Sequence, residues 1–330
     1  MTGDETTLSI YTSPPPWWRG MPFDGMRWWK RSMLWRGLRC LKACFLRCVG
    51  GHYAVTRSLL AGMRQIGLPF SYNYPLLPSR TALVLAGLDT LRFAIEQKRA
   101  GRIDFLAAGP NICVAPSLCD NMVADAAVDV YLVNSEWTRR MYVEDCPALD
   151  GRIAVWPAGV DADFWSRRNP PRRRHVLLYV KNDHAPIGAV QDVLARLHLA
   201  VTVLRYGEYT TDSFKALLES SECMICMGGP ESQGIALAEA WAMDVPTFVW
   251  SGADRVWPVP AYASSAPYLS EETGAFWGEC AELEAALESF YENRQWYSPR
   301  KYVLRELTDE VSAVKLMHIV ALYRGVSNGV

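Results

Sequence analysis

The chain reads as an α/β protein of two parallel-sheet units, on three observations. Short apolar runs of strand length alternate with amphipathic runs of helix length, the pattern of a mainly parallel sheet. A Pro- and Arg-rich stretch, Trp165 to Arg174, interrupts that alternation in mid-chain and reads as a solvated linker. The 330 residues suit about two domains of ordinary size, and at 50% hydrophobic they can fill two cores.

Leu8 to Thr12 is a candidate first strand, ended by Pro14-Pro15-Pro16. From 17 to 48 the chain carries Trp17, Trp18, Trp28, Trp29 and Trp35 among Arg19, Arg27, Lys30, Arg31, Arg36, Arg39, Lys42 and Arg47, with only Asp24 acidic. Rings and cations together suit the headgroup layer of a membrane. An ordinary helical cap with a basic edge has the same composition. Stacking on single-stranded nucleic acid is the third reading, with no recognition module to accompany it. Gly50-Gly51-His52 then opens an amphipathic segment, Tyr53 to Ile66. Strands are expected near 68–74, 82–86, 103–107 and 129–133, with a helix from Leu88 to Ala100. Gly109-Pro110-Asn111 is expected to follow its strand, either as a plain turn or facing a ligand at the strand's carboxyl end.

After the linker, strands are expected near 176–181, 200–206, 222–227 and 246–249, helices near 187–198, 211–220, 233–243 and 281–294, and a helical tail from Pro299. Net charge is −1, against wholesale nucleic-acid binding. No run approaches the roughly 18 apolar residues of a membrane span. Asp4 and Glu5 argue against a secretory signal, and nine cysteines without a regular framework point to a reducing, cytoplasmic setting. Cys223 and Cys226 are formally C-x-x-C, yet residues three apart on a strand face opposite ways, so core packing is the better reading. Cys40, Cys44 and Cys48 share a helical face with no clear fourth metal ligand.

The segment richest in chemical information is Gly228 to Trp250. It reads as a Gly/Pro turn carrying Glu231, an apolar helix carrying Glu239, and a strand. A charge in such a helix needs a partner: a ligand hydroxyl, a neighbouring arginine or backbone amides. The amides of Ser232, Gln233 and Gly234 at a helix N-terminus suit a phosphate or sugar oxygen, and Gly234 permits close approach.

Glu231 and Glu239, with seven residues between them and followed by Ala-x-Ala-x-x-Val-Pro, resemble the E-x7-E signature of retaining GT-B glycosyltransferases, the type called family 4 or group 1. Val133-Asn134-Ser135-Glu136-Trp137-Thr138, Pro157-Ala158-Gly159-Val160-Asp161 and the strand Val176 to Lys181 resemble further elements of that family, in order. The likeness spans roughly 50 to 330. It implies two Rossmann-like domains facing across a cleft: residues 1–164 on the acceptor side with an insertion at about 13–50, a linker at 165–175, a nucleotide-sugar domain at 176–298, and a tail, 299–330, crossing back.

By the same resemblance, Glu231 contacts the donor sugar, with Ser232, Gln233 and Gly234 offering amides to sugar and phosphate. Glu239 holds the ribose hydroxyls and Lys181 touches the diphosphate. Gly51 faces the phosphates. Beside the resemblance, His52 reads as a contact to donor or acceptor or as a structural histidine, and Asn111, at a strand's carboxyl end, as an acceptor-side residue. A second lysine of the family is replaced by Pro186, with His184 nearby and Arg205 as a candidate substitute. Retention needs no enzymic nucleophile, and the donor would be UDP- or GDP-linked. No metal or other cofactor is expected; Asp161-Ala162-Asp163, formally D-x-D, is read as incidental. The function implied is sugar transfer to an acceptor hydroxyl, on a lipid-linked glycan or polysaccharide, at the inner face of the membrane if residues 17–48 bind it. The alternatives are a non-catalytic sugar-nucleotide or glycan binder on the same scaffold, and a membrane-surface scaffold.

Overall fold

The computed structural model describes residues 7–12, 51–73, 79–181, 186–252 and 259–327. The Trp/Arg-rich segment, Cys40, Cys44, Cys48 and His184 lie outside them. Of the described residues, those up to Ala158 and those from Ser312 form one compact unit and those from Gly159 to Val311 a second.

In the first unit, β1 (Leu8–Tyr11), β2 (Phe70–Tyr72), β3 (Thr81–Ala86), β4 (Phe105–Asn111), β5 (Val130–Val133) and β6 (Ile153–Val155) make one sheet, ordered β2-β1-β3-β4-β5-β6. Every pairing is parallel. Helices α1 (Gly51–Gln65), α2 (Leu88–Arg99) and α3 (Glu136–Asp145) belong to this unit. A parallel sheet covered on both faces needs continuous apolar strands. β3, Thr-Ala-Leu-Val-Leu-Ala, is such a run and is buried over its first five residues. Gly109-Pro110-Asn111 does not follow its strand as expected. β4 runs on through Asn111, because the ladder to β3 resumes past an irregularity and pairs Ala86 with Asn111. The start of α3 explains Ser135-x-x-Thr138 locally: the Ser135 amide donates to Thr138 Oγ1 at 3.1 Å and the Thr138 hydroxyl to Ser135 O at 2.7 Å. Such a reciprocal cap satisfies groups a helix leaves open at its start.

The second unit holds β7 (His175–Val180), β8 (Ala200–Arg205), β9 (Cys223–Met227), β10 (Thr247–Trp250) and β11 (Gly274–Trp277), ordered β11-β10-β9-β7-β8 and all parallel. Its helices are α4 (Ile187–Arg196), α5 (Thr211–Ser220), α6 (Ile235–Ala242), α7 (Cys280–Glu292) and α8 (Pro299–Glu306). α9 (Asp309–Ser327) starts in this unit and continues as residues of the first. The sheet separates two cores. Val176, Leu178, Val180, Cys223, Ile225 and Met227 face one; Leu177, Tyr179, Met224 and Cys226 face the other. Cys223 and Cys226 are therefore core residues on opposite faces of β9.

The boundary between units falls between Ala158 and Gly159, ahead of the expected linker. The reason is burial: Trp165 is 1% exposed and meets Phe214 edge-on at 5.9 Å, so the stretch carrying it is core. The return to the first unit comes at Ser312, later than Pro299, because α8 packs on α6 with Tyr302 edge-on to Trp241 at 5.8 Å. Gly159 has a steric cause. A Cβ there would stand 2.4 Å from Thr308 O, where the Val160 amide donates to Leu307 O at 2.8 Å.

Candidate functional site

Strand order locates the site in the second unit. From β7 the chain moves outward to β8, then returns to place β9 on the other side of β7. Successive connections thus leave β7 in opposite directions, and in open α/β sheets ligands bind at the carboxyl ends of the strands flanking such a switch. Lys181 immediately follows β7 and the Gly228–Glu231 turn follows β9. The β7–β9 ladder extends one step further, with the Lys181 amide donating to Met227 O at 2.9 Å, which draws Lys181 alongside Gly228.

The Lys181 ammonium donates to Glu231 Oε1 in a tight ion pair, with side chains 30% and 23% exposed. It also sits 4.7 Å from the centroid of the Tyr206 ring, which stands just beyond β8 and is 54% exposed. Burial pulls the ammonium down, yet the Glu231 charge and hydrogen bond outweigh it, and the group ends above its ordinary 10.5. Lys181 is therefore a cation throughout the neutral range. The Glu231 backbone is held as well, its amide donating to Ser264 O at 2.9 Å.

Helix α6 begins at Ile235 with Gly234 as its cap at φ 82°. Gly234 is needed there: the left-handed backbone disfavours a side chain, and a Cβ would press on Leu237 at 3.0 Å. Ser232, Gln233 and Gly234 thus form the turn before the helix rather than its first residues. Ser232 is exposed and Gln233 buried. Glu239 is half-buried on the strip it shares with Ile235 and Ala236, not buried as its apolar surroundings suggest, while Leu237, Ala238, Ala240, Trp241 and Ala242 fill the core. Glu239 helps hold up the Tyr209 hydroxyl, which burial first, and then that charge, push to about 12. Tyr209 and Tyr179 share a hydrogen bond at 2.9 Å. Burial likewise raises Tyr179, with Glu231 adding to the shift, so both phenols stay protonated at neutral pH.

Two arginines unmarked by any motif fix the other end of α6. Arg300 donates to Trp165 O at 2.9 Å, to Ala162 O at 3.0 Å and to Ala242 O. Arg167 donates to Met243 O at 3.1 Å and Ser221 O at 2.7 Å. Cations at carbonyls that a helix end leaves open also complement its dipole.

The sequence-derived residues therefore divide. Lys181 and Glu231 are in direct contact, Glu239 lies on the helix after the Glu231 turn, and Arg205 is exposed at the end of β8, opposite Val180 in register. Gly51, His52 and Asn111 belong to the first unit. Gly51 is the first residue of α1 and no added Cβ there meets an atom within 4 Å, so sterics alone do not require glycine. His52 is exposed in the first turn and its carbonyl accepts from Thr56 Oγ1 at 3.1 Å. Asn111 ends β4 with its side-chain nitrogen buried and without a hydrogen-bond partner. Tyr206 and Tyr209, the aromatic wall of the site, went unnoticed in the sequence; two tyrosines around Gly207, directly after a strand, were the available signal. Asp161 Oδ1 accepts from the Phe164 amide at 2.8 Å, a turn-forming role. Among the described residues, no group of three His, Cys, Asp or Glu side chains could hold a metal ion. Pro186 stands at the start of α4.

No protein-family model and no curated protein matches the sequence. Solved structures do. Anabaena HepE in complex with UDP-glucose aligns over 96% of this chain and 99% of its own, at 11% identity and a TM-score of 0.58. The fold is GT-B. A glycosyltransferase from Rickettsia africae aligns over 97% and 99% of the two chains at 9% identity and TM-score 0.54. Sucrose-phosphate synthase from Thermosynechococcus elongatus aligns over 76% and 75% at 13% and 0.52. The GT-B likeness thus covers nearly the whole chain. Among the described residues, no helix is long and apolar enough to cross a membrane.

Proposed function

We propose that the protein is a retaining glycosyltransferase that moves a sugar from a UDP- or GDP-linked donor to an acceptor hydroxyl. The observation that carries the reading is the meeting of Lys181 and Glu231 at the switch between β7 and β9, with Glu239 on the helix that follows. A diphosphate leaving group needs a cation that is charged at neutral pH, and Lys181 is one. Glu231 then turns to the sugar and Glu239 accepts from the ribose hydroxyls. The acceptor oxygen bonds to the anomeric carbon on the face the diphosphate leaves, the carbon–phosphate oxygen bond breaks, and the acceptor proton passes to the departing phosphate. The protein supplies position and charge rather than a nucleophile. Lys181 carries the countercharge, so no step is routed through a metal.

Two titratable neighbours fit the same reading. Tyr206 presents an exposed ring beside Lys181, and Tyr209 holds a protonated hydroxyl near Glu239. Gly51 is assigned to the donor phosphates, as the resemblance implies, and His52 and Asn111 to the reacting groups and the acceptor on their place in the sequence. The acceptor is taken to be a lipid-linked glycan or a polysaccharide, the lipid on the strength of residues 17–48 alone. Sedimentation with anionic vesicles tests that part. No co-sedimentation moves the acceptor to a soluble glycan and the protein off the inner membrane face.

The deciding experiment is calorimetry with UDP, GDP and UDP-glucose, followed by donor turnover with Glu231→Ala and Glu239→Ala. Near-wild-type turnover by both variants ends the proposal. A second reading, a non-catalytic sugar-nucleotide binder, is favoured by Pro186 at a position where the family carries a lysine, with Lys181 already engaged by Glu231. It predicts nucleotide binding with no donor hydrolysis or transfer above background.

A further inference from the structure

Beyond β4 the first unit carries a pair of cysteines that the proposed transfer does not use. Cys113 lies two residues past the end of the strand and Cys119 ends the short 3-10 turn Pro116–Cys119. Both are thiols, and their sulfurs stand 2.9 Å apart. A disulfide bond is about 2 Å long, so bonding needs under one ångström of approach. The two positions are held together from outside as well. Tyr142 on α3 donates to Cys113 O at 2.6 Å, and Cys119 Sγ lies 3.2 Å from Pro116 O. Cys113 is half-buried and Cys119 is buried at 4% exposed. The more exposed residue of the pair, Cys113, is the one to attack and the buried Cys119 the one to resolve.

We propose that Cys113 and Cys119 are a reversible oxidation site that closes an intramolecular disulfide at the end of β4 when the protein meets a low-molecular-weight disulfide. The sulfur of Cys113, on losing its proton, attacks one sulfur of oxidised glutathione and releases one glutathione thiol. Cys119 then loses its proton and attacks Cys113 Sγ, releasing the second. Two protein thiols are oxidised and one glutathione disulfide is reduced to two thiols. The bond fastens the segment that follows Asn111 and bears the exposed side chains Val114 and Leu118. Burial and the adjoining Cys119 push the Cys113 thiol up to about 12, which slows its exchange at neutral pH. The inference is independent of the reading of the second unit.

The experiment is redox equilibration. The intact protein is held in mixtures of reduced and oxidised glutathione, starting once from the reduced and once from the oxidised protein, until the two agree. It is then alkylated and cut with trypsin, which leaves Ile103 to Arg139 as one peptide containing Cys113 and Cys119 and no other cysteine. The expected product is that peptide unalkylated and lighter by two hydrogens. Its midpoint is expected in a more reducing mixture than that of the same protein unfolded in guanidinium, by tenfold or more in the glutathione ratio. A peptide that stays doubly alkylated in the oxidised mixtures, or that carries glutathione on either sulfur at equilibrium, overturns the proposal. So does an equal midpoint for folded and unfolded protein. Cys119→Ser is expected to abolish the two-hydrogen loss while leaving a glutathione-modifiable Cys113. Should that variant fail to fold, the wild-type mapping decides by itself.

Discussion

Removing the carboxylate that faces Lys181 should strengthen binding of the free nucleotide, the opposite of what loss of a site residue ordinarily does. The Lys181 ammonium is bonded to Glu231 and sits over the Tyr206 ring. A diphosphate must compete with Glu231 for that cation. Both side chains keep about a quarter of their surface, so the pair lies at the upper end of the 0.2–1 kcal/mol measured for exposed pairs, about 1 kcal/mol. Glu231→Gln keeps size and polarity, removes the competing charge and releases that energy to the ligand. UDP or GDP, whichever binds, should bind up to about fivefold tighter. Calorimetry at two salt concentrations is the assay, and the gain should shrink at high salt, where partly exposed charges are screened. Turnover of the nucleotide-sugar should fall in the same variant if Glu231 contacts the sugar as proposed. Unchanged or weaker nucleotide binding by a Glu231→Gln protein of wild-type melting temperature would refute the competition argument and, with it, Lys181 as the phosphate cation.

Other outcomes are fixed by the same structure. Lys181→Met should weaken nucleotide binding by the worth of a charge-assisted hydrogen bond, about 1.5–3 kcal/mol or roughly 10- to 150-fold, read by the same calorimetry. Gly159→Ala places a methyl against the backbone at Thr308 and should cost about 1–3 kcal/mol of stability in chemical denaturation. Glu222, almost fully buried, is desolvated but is held net below its ordinary 4.5 by Arg294 at 2.7 Å and the Arg174 amide at 2.8 Å. A carboxyl whose folded value is depressed contributes stability above pH 4.5 that fades as pH falls through the folded value, so Glu222→Gln should flatten the acid limb of a melting-temperature profile below that point. Arg300→Met removes donors from Trp165 O, Ala162 O and Ala242 O and should raise KM for the donor more than it lowers kcat, through a loosened α6.

What the sequence made legible was local. The apolar runs of β7 and β9 announce themselves because strands covered on both faces have no room for alternation. The Glu231 turn followed because strand, Gly-rich turn and helix are consecutive. Glu239 shows the limit of the pattern: α6 is apolar nearly all round, yet Ile235, Ala236 and Glu239 leave a half-covered strip. Periodicity cannot distinguish a strip facing solvent or a ligand from one facing a second layer. The rest depended on long-range pairing. Gly159 reads as a family element in the sequence, and only the crossing of Thr308 explains why no side chain fits. Trp165 sits among Pro and Arg and reads as linker, although its ring is core. Arg300 lies far along the chain from the helix it clamps.

The two glutamates now carry different weights from those their spacing suggests. Seven intervening residues place Glu231 in a turn and Glu239 on a helix, and the two reach different neighbours: Lys181 for the first, Tyr209 for the second. Tyr179 joins these environments, since its hydroxyl bonds Tyr209 while its own titration feels Glu231. Both phenols stay protonated at neutral pH, so the pair adds no charge of its own beside the two carboxylates. Tyr209→Phe removes one hydroxyl from that pair and keeps the ring. If Tyr209 positions Glu239 for ribose, the variant should lose affinity for UDP and much less for the sugar moiety alone. The hydrogen bond that hydroxyl makes is worth about 0.5–1.5 kcal/mol, an expected drop of roughly 2- to 12-fold. If Tyr209 only packs against Phe214, whose ring lies 5.1 Å away, nucleotide affinity should stay within a factor of two of wild type while the melting temperature falls.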